Sequence, residues 1–173
     1  WLRIRELSGD KAPDAKLSPS YAASEELRSA IRLQPVLFFR EMLVRNRPVL
    51  DLLDSTHTVA TGTLEKHLGL KLPLNKNARQ QPQWVELPAD SNRGGLLGMP
   101  AVLAVSSSPY RTSPVLRGAW ILEPLLGPPP PPPPPQVPAL QDPATGPPAT
   151  TPRHRLAHHR PNPASPPPHH PPP

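Results

Sequence analysis

Proline decides how much of this chain can pack. Each proline fixes φ at about −65° and withholds a backbone donor, so a dense run of them enters neither a helix interior nor the middle of a sheet. Of the 32 prolines in 173 residues, 21 lie at or after Pro128 and 11 before it. Eight consecutive prolines, 128–135, begin the change. Beyond them large apolar side chains are few, and such a segment buries too little surface to offset the entropy of ordering it. The expectation is a foldable part over residues 1–127, long enough for one modest core, and a disordered, proline-rich tail over 128–173. The eight-proline run predicts a polyproline II rod of ~25 Å at about 3.1 Å per residue. Its expected role is a semi-rigid spacer between domains; taken alone, it is also a ligand for an aromatic-lined groove.

The formal charge of +6 invites an anionic partner, but its distribution argues against nucleic acid. Before Pro128, 16 Lys and Arg are interleaved with 12 Asp and Glu, and the tail adds three Arg against one Asp. No basic run is dense enough to track a phosphate backbone. The chain has no cysteine, which removes disulfides and thiolate metal sites. No stretch approaches the ~20 apolar residues of a transmembrane helix. The opening WLRIREL lacks the charged start, apolar run and small-residue cleavage site of a signal peptide. With Trp1 in place of an initiator Met, the chain reads as a fragment of a longer protein.

Periodicity makes the foldable part mainly α, with small helical regions and at most one short strand pair. Residues 1–7 alternate apolar and basic side chains, which suits a short strand or a helix end, and residues 8–20 read as a loop. From Glu25 onward, Leu27, Ile31, Phe38 and Met42 recur at helical spacing behind a Ser24 cap, with Glu25 and Glu26 placed to suit the helix dipole. Pro35 predicts a kink or break at Gln34. Phe38 and Phe39 are read as core rather than as the wall of a ligand site. A second helical piece is expected from Pro48 to Leu53 with Pro48 at its first position, and a third between Thr61 and His67 with Gly69 as terminator. Trp84 to Leu87 is a strand candidate. Residues 96–105 are almost continuously apolar, hence buried, either as a helix distorted near Pro100 or as a short helix followed by a strand. Ser113 and Pro114 then start a core helix whose stripe is Val115, Ala119, Leu122 and Leu126, flanked by Leu116 and Trp120 and closed by Gly127.

Few residues invite chemistry. Arg111 and Arg117 bracket the helix start at Ser113, and guanidinium groups beside free amides suit a carboxylate or a haem propionate, so Arg111, Ser113 and Arg117 form a candidate anion site. Arg93-Gly94-Gly95 lacks the lysine and serine of a phosphate-binding loop and reads as a glycine lead into a buried helix. Asp51, Asp54, His57 and His67 have the wrong spacing for a helix-borne metal motif, so no metal site is assigned. Ser106, Ser107, Ser108 and Ser113 have no nucleophile elbow and no histidine placed by signature, which leaves capping and turn roles and no catalytic residue. Tail histidines 154, 158, 159, 169 and 170 allow at most loose metal contact.

The strings ELRSAIRLQPVLFFREMLVRNRPVL, NRPVLDLLDS and RGGLLGMPAVLAVSSSPYRTSPVLRGAWILEPLLGPPPPPPPPQVPAL resemble a planctomycete family of large, exported, cytochrome-associated proteins built from PSD- and PSCyt-type domains of unknown function. The resemblance implies that residues 1–70 are the C-terminal part of one helical domain, 71–127 a cytochrome-associated domain, and 128–173 a poly-Pro spacer and tail. In that family the run leads to a block with a Cys-x-x-Cys-His haem segment. Here the likeness fades through TPRHRLAHHRPNPA, and Ser165 and Pro168 stand where the cysteines would fall, with only His169 matching. No covalent c-type haem is therefore expected in this chain, and c-type haem belongs elsewhere in the parent. The drift into Pro, His and Arg predicts a truncated or frame-shifted terminus. The functional expectation is a noncatalytic structural or docking segment of a cell-envelope protein, with other domains of the parent and cytochrome c modules as partners. The alternatives are a fragment of a redox or hydrolytic enzyme completed by missing parts, which would need His57, Asp54 and Arg111 gathered in one cleft, and a proline-rich interaction module.

Overall fold

Helix α2 (Glu25–Val44) ties the fold together because its apolar face feeds two of the three apolar clusters. Our computed structural model describes residues 1–75 and 81–127, and the proline run and the tail lie outside them. The Ser24 side chain accepts from the Leu27 amide at 3.1 Å, and Glu25 and Glu26 occupy the first turn, where the dipole favours negative charge. Leu27 and Ile31 are buried in one cluster, Phe38 and Met42 in the next. Pro35 sits between them, fully buried.

The expected break at Gln34 does not occur, and α2 runs through the proline. A proline inside a helix costs roughly 3 kcal/mol, since it withholds a donor from the carbonyl four residues back. Packing on both sides offsets that cost. Gln34 is buried as well, and its Nε2 donates to Thr58 Oγ1 and to the Val59 carbonyl, each at 3.1 Å, which locks the helix to a neighbouring strand.

Ahead of α2, the alternating N-terminus is a 3-10 turn (Ile4–Ser8), and the following loop gives way at its end to α1 (Pro19–Ala23). Tyr21 on α1 is buried and donates its hydroxyl to the Leu7 carbonyl at 3.0 Å, joining the two pieces. After α2 comes α3 (Asp51–Asp54), shorter than expected, and Pro48 is not its first residue. Val49 and Leu50 are exposed there, so no packing extends the helix backwards.

Strand β1 (His57–Ala60) pairs antiparallel with β2 (Gln83–Glu86), Val59 facing Trp84. The β2 strand falls one residue ahead of its sequence expectation. The sequence expectation allowed one short strand pair but located only Trp84 to Leu87, because HTVA shows no alternation of apolar and polar residues. Between them, α4 (Gly62–Leu68) has its anticipated signals: Thr61 caps it, and Gly69 ends it at φ 64°, in the left-handed region that favours glycine.

Residues 96–105 take the helical alternative, as a 3-10 turn (Leu96–Gly98) and α5 (Pro100–Val105), with Pro100 starting the helix rather than distorting it. Gly95 is required by close approach. Its φ is 51°, and a Cβ there would lie 2.5 Å from the Leu52 carbonyl oxygen and the Leu53 backbone. The glycine pair thus lets this segment pass against α3.

Helix α6 (Pro114–Trp120) begins at the predicted cap, where Ser113 Oγ accepts from the Leu116 amide at 3.3 Å. It continues as a π-helical turn (Ile121–Leu126) ended by Gly127 at φ 95°. The predicted core stripe is a correction: Val115, Leu116, Leu122 and Leu126 are exposed, Val115 and Leu126 at 63% and 65%. The buried face is Trp120, with Ile121 and Leu125 partly buried against the cluster that holds Leu7, Leu27 and Val102. Two features select that face. Arg117 is bonded to α5, through Nη2 to the Leu103 carbonyl at 3.2 Å and Nε to Ser106 Oγ at 3.4 Å. Pro124 removes the amide that would reach the Trp120 carbonyl, and the wider π turn rotates the residues beyond it away from the α projection. The N-terminus clasps this turn: Trp1 Nε1 donates to the Pro124 carbonyl at 2.6 Å, and Arg3 pairs with Glu123.

The described protein is mainly helical with one two-stranded antiparallel sheet. No helix among the described residues is long and apolar enough to cross a membrane.

Candidate functional site

Two of the three residues of the candidate anion site meet in one place. A groove of about 570 Å³ opens between the loop that follows the 3-10 turn, α5, and the segment 106–113 leading into α6. Arg111 and Arg117 both line it. Ser113 does not. Its hydroxyl is the cap of α6, and its amide donates to Ser107 Oγ at 3.1 Å. Two further basic side chains reach the groove that sequence spacing could not supply: Lys11 and His67.

The serines are structural. Ser107 Oγ donates to the Arg111 carbonyl at 2.9 Å while accepting from the Ser113 amide, and Ser106 Oγ donates to the Val102 carbonyl at 2.6 Å. Together they tie down the 106–113 turn that carries Arg111, and Arg117 follows on α6. Lys11 Nζ lies 3.4 Å from the Ser107 carbonyl oxygen.

Charge in the groove is one-signed. Among the described residues no Asp or Glu lines it and no ion pair neutralises Lys11, Arg111 or Arg117. Asp14, close by because its backbone N–H donates to the Pro109 carbonyl, accepts the Lys16 amide on its own Oδ1. Five other arginines pair with acids: Arg3 with Glu123, Arg28 and Arg32 with Glu25, Arg45 with Glu41, Arg47 with Asp51. Desolvation, and then the Arg93 guanidinium, hold His67 below the usual histidine range.

The other titratable candidates are dispersed. Asp51 is the ion-pair partner of Arg47. His57 lies on β1 with its ring stacked on Trp84, centroids 5.5 Å apart, and its Nδ1 3.0 Å from Thr56 Oγ1. Among the described residues no three His, Cys, Asp or Glu side chains gather as metal ligands. His57 and Asp54 do not line the groove of Arg111, so the cleft needed by the enzyme alternative is not assembled there.

Trp84 is the feature that sequence reading underrated. Phe38 stacks on it at 5.4 Å, His57 at 5.5 Å, and the Arg45 guanidinium lies 5.3 Å from its ring centroid. Phe38 is fully buried, as expected of core, whereas its neighbour Phe39 is exposed. A second groove, of about 390 Å³, runs along α2 and β1 and is edged by Glu25 and Glu26. Gln34 lines it, and the buried Gln34 Oε1 has no hydrogen-bond partner among the described residues.

Fold and site together define a small helical segment with a basic groove and uncovered apolar helix faces. Two family models match it: residues 1–70 match PSD4, a protein of unknown function (DUF1592), and residues 93–170 match PSCyt3, a protein of unknown function (DUF1588). Over these two stretches the chain is similar to the two families, the pair that its sequence strings resemble. The second match runs through Ser165, Pro168 and His169, which lie outside the described residues. No curated protein and no solved structure matches the chain.

Proposed function

We propose that the chain is a noncatalytic structural or docking segment of a larger cell-envelope protein that works beside c-type cytochrome modules. The observation that carries this reading is the exposed stripe of Val115, Leu116, Leu122 and Leu126 on the last described helix. Several large apolar side chains left exposed on one short helical segment suit a contact face. Helix α2 presents a second stripe, Leu33, Val36, Phe39 and Leu43, at three- and four-residue spacing and all exposed, opposite the face that fills the core. A helix apolar on both sides belongs inside a larger assembly. The cytochrome link and the envelope placement rest on the family resemblance, and with no cysteine in this chain any c-type haem is held by neighbouring parts of the parent.

The test compares this chain with the longer gene product by amide hydrogen exchange. Residues 114–126 and the outer face of α2 are expected to exchange more slowly in the longer protein, which is also expected to absorb in the haem Soret region while this chain alone does not. Equal exchange at both helices in the two proteins would remove the docking role; a longer product with no Soret band would remove the cytochrome link.

A further inference from the structure

The basic groove gathers more positive charge than the Arg117 tether of α6 to α5 uses. Its walls divide by chemistry. Leu17, Ile31, Leu103 and Ala104 supply its apolar lining, and Lys11, Arg111 and Arg117 its charge, with no acid in the lining among the described residues. A volume of about 570 Å³ is within the usual range for a small organic ligand.

Arg3, Arg28, Arg32, Arg45 and Arg47 each meet an acid, and among the described residues the groove cations do not. Arg117 and Lys11 lean on neutral oxygens, those of Leu103, Ser106 and Ser107, and these leave the positive charge uncompensated. Arg111 is exposed at the rim, one residue from Tyr110, and forms no ion pair among the described residues. Three like charges around one concavity repel each other, so an anion entering it relieves that repulsion as well as forming charge-assisted hydrogen bonds. The apolar lining selects against a bare inorganic ion, which would gain nothing from it.

We infer that this groove binds an organic carboxylate with an apolar body, the carboxylate meeting Arg111, Lys11 and Arg117 and the body lying on Leu17, Ile31 and Leu103. This site is separate from the exposed stripes and stands whether or not the docking role holds. Arg117 also fastens α6 to α5, so its substitution disturbs structure; Arg111 and Lys11 are the residues to test.

The experiment titrates the full chain by calorimetry with octanoate, with octanamide as the uncharged analogue and with inorganic phosphate. Octanoate is expected to saturate one site, with octanamide weaker by about tenfold or more, the worth of a charge-assisted contact. Arg111→Gln and Lys11→Gln are each expected to weaken octanoate by about fivefold or more, leaving octanamide and the thermal midpoint unchanged. Phosphate is expected to bind more weakly than octanoate. The inference falls if octanoate shows no saturable binding at millimolar concentration, if octanoate and octanamide bind alike, or if the two variants bind octanoate as the parent chain does. Phosphate binding as tightly as octanoate would overturn the apolar body.

Discussion

Helix α2 and the last helix carry equally clear apolar stripes, yet one stripe is core and the other is surface. On α2 the sequence periodicity selects Leu27, Ile31, Phe38 and Met42, and all four are buried. On α6 and its π-helical extension the same reasoning selects Val115, Leu122 and Leu126, and all three are exposed. The difference lies in what the helices are fastened to. Gln34 bonds α2 to β1 on the apolar side, so periodicity and tether agree. Arg117 bonds α6 to α5 on a different side, and Pro124 then rotates the rest of the helix. A stripe shows that a helix has a face to bury; the tether chooses which face is buried here.

The sharpest test is to truncate both stripes. Phe38→Ala empties a fully buried, stacked site and is expected to cost about 3–5 kcal/mol in urea unfolding. Leu122→Ala is expected to stay within about 0.5 kcal/mol. Equal losses would break the comparison and show that the last helix is packed in solution.

Glycines extend it. Gly95→Ala meets backbone at 2.5 Å with φ at 51° and is expected to lower stability by about 2–3 kcal/mol. Gly118→Ala, inside α6 with nothing within 4 Å, is expected to raise helix stability by about 0.5–1 kcal/mol. Circular dichroism melts of the two variants should move in opposite directions.

Caps probe the same contrast more gently. Ser24→Ala and Ser113→Ala each remove one cap hydrogen bond worth about 1 kcal/mol. The first should register in global unfolding because α2 spans two clusters. The second should show as faster amide exchange confined to the start of α6.

The smallest effect is set by His67. The folded protein holds its pKa below the ordinary value of 6.5, so the unfolded chain takes up a proton first as pH falls. Stability attributable to His67 is therefore full above pH 6.5 and declines below it. His67→Gln should flatten that decline in thermal midpoints measured between neutral and mildly acidic pH.

Local signals were the legible part of this protein. Ser24, Thr61 with Gly69, and Ser113 with Pro114 each act within one turn of chain, and each helix start or stop stands where its residues placed it. Strand β1 was not legible. Its pairing depends on Trp84 and its neighbours, far along the chain, and HTVA alone carries no period. The groove was half legible. Arg111 and Arg117 are close in sequence on either side of a cap, whereas Lys11 arrives from the N-terminal loop, 96 residues from the Ser107 carbonyl it contacts.

By itself the sequence determined the mainly helical character, the caps and the absence of thiol chemistry, because each follows from backbone restriction, side-chain reach or composition. Only the tertiary structure decided that Pro35 is tolerated, that the last stripe faces outward, and that four basic side chains share one groove with no acid. Those outcomes depend on which surfaces meet, and such contacts are made between residues that no local pattern connects.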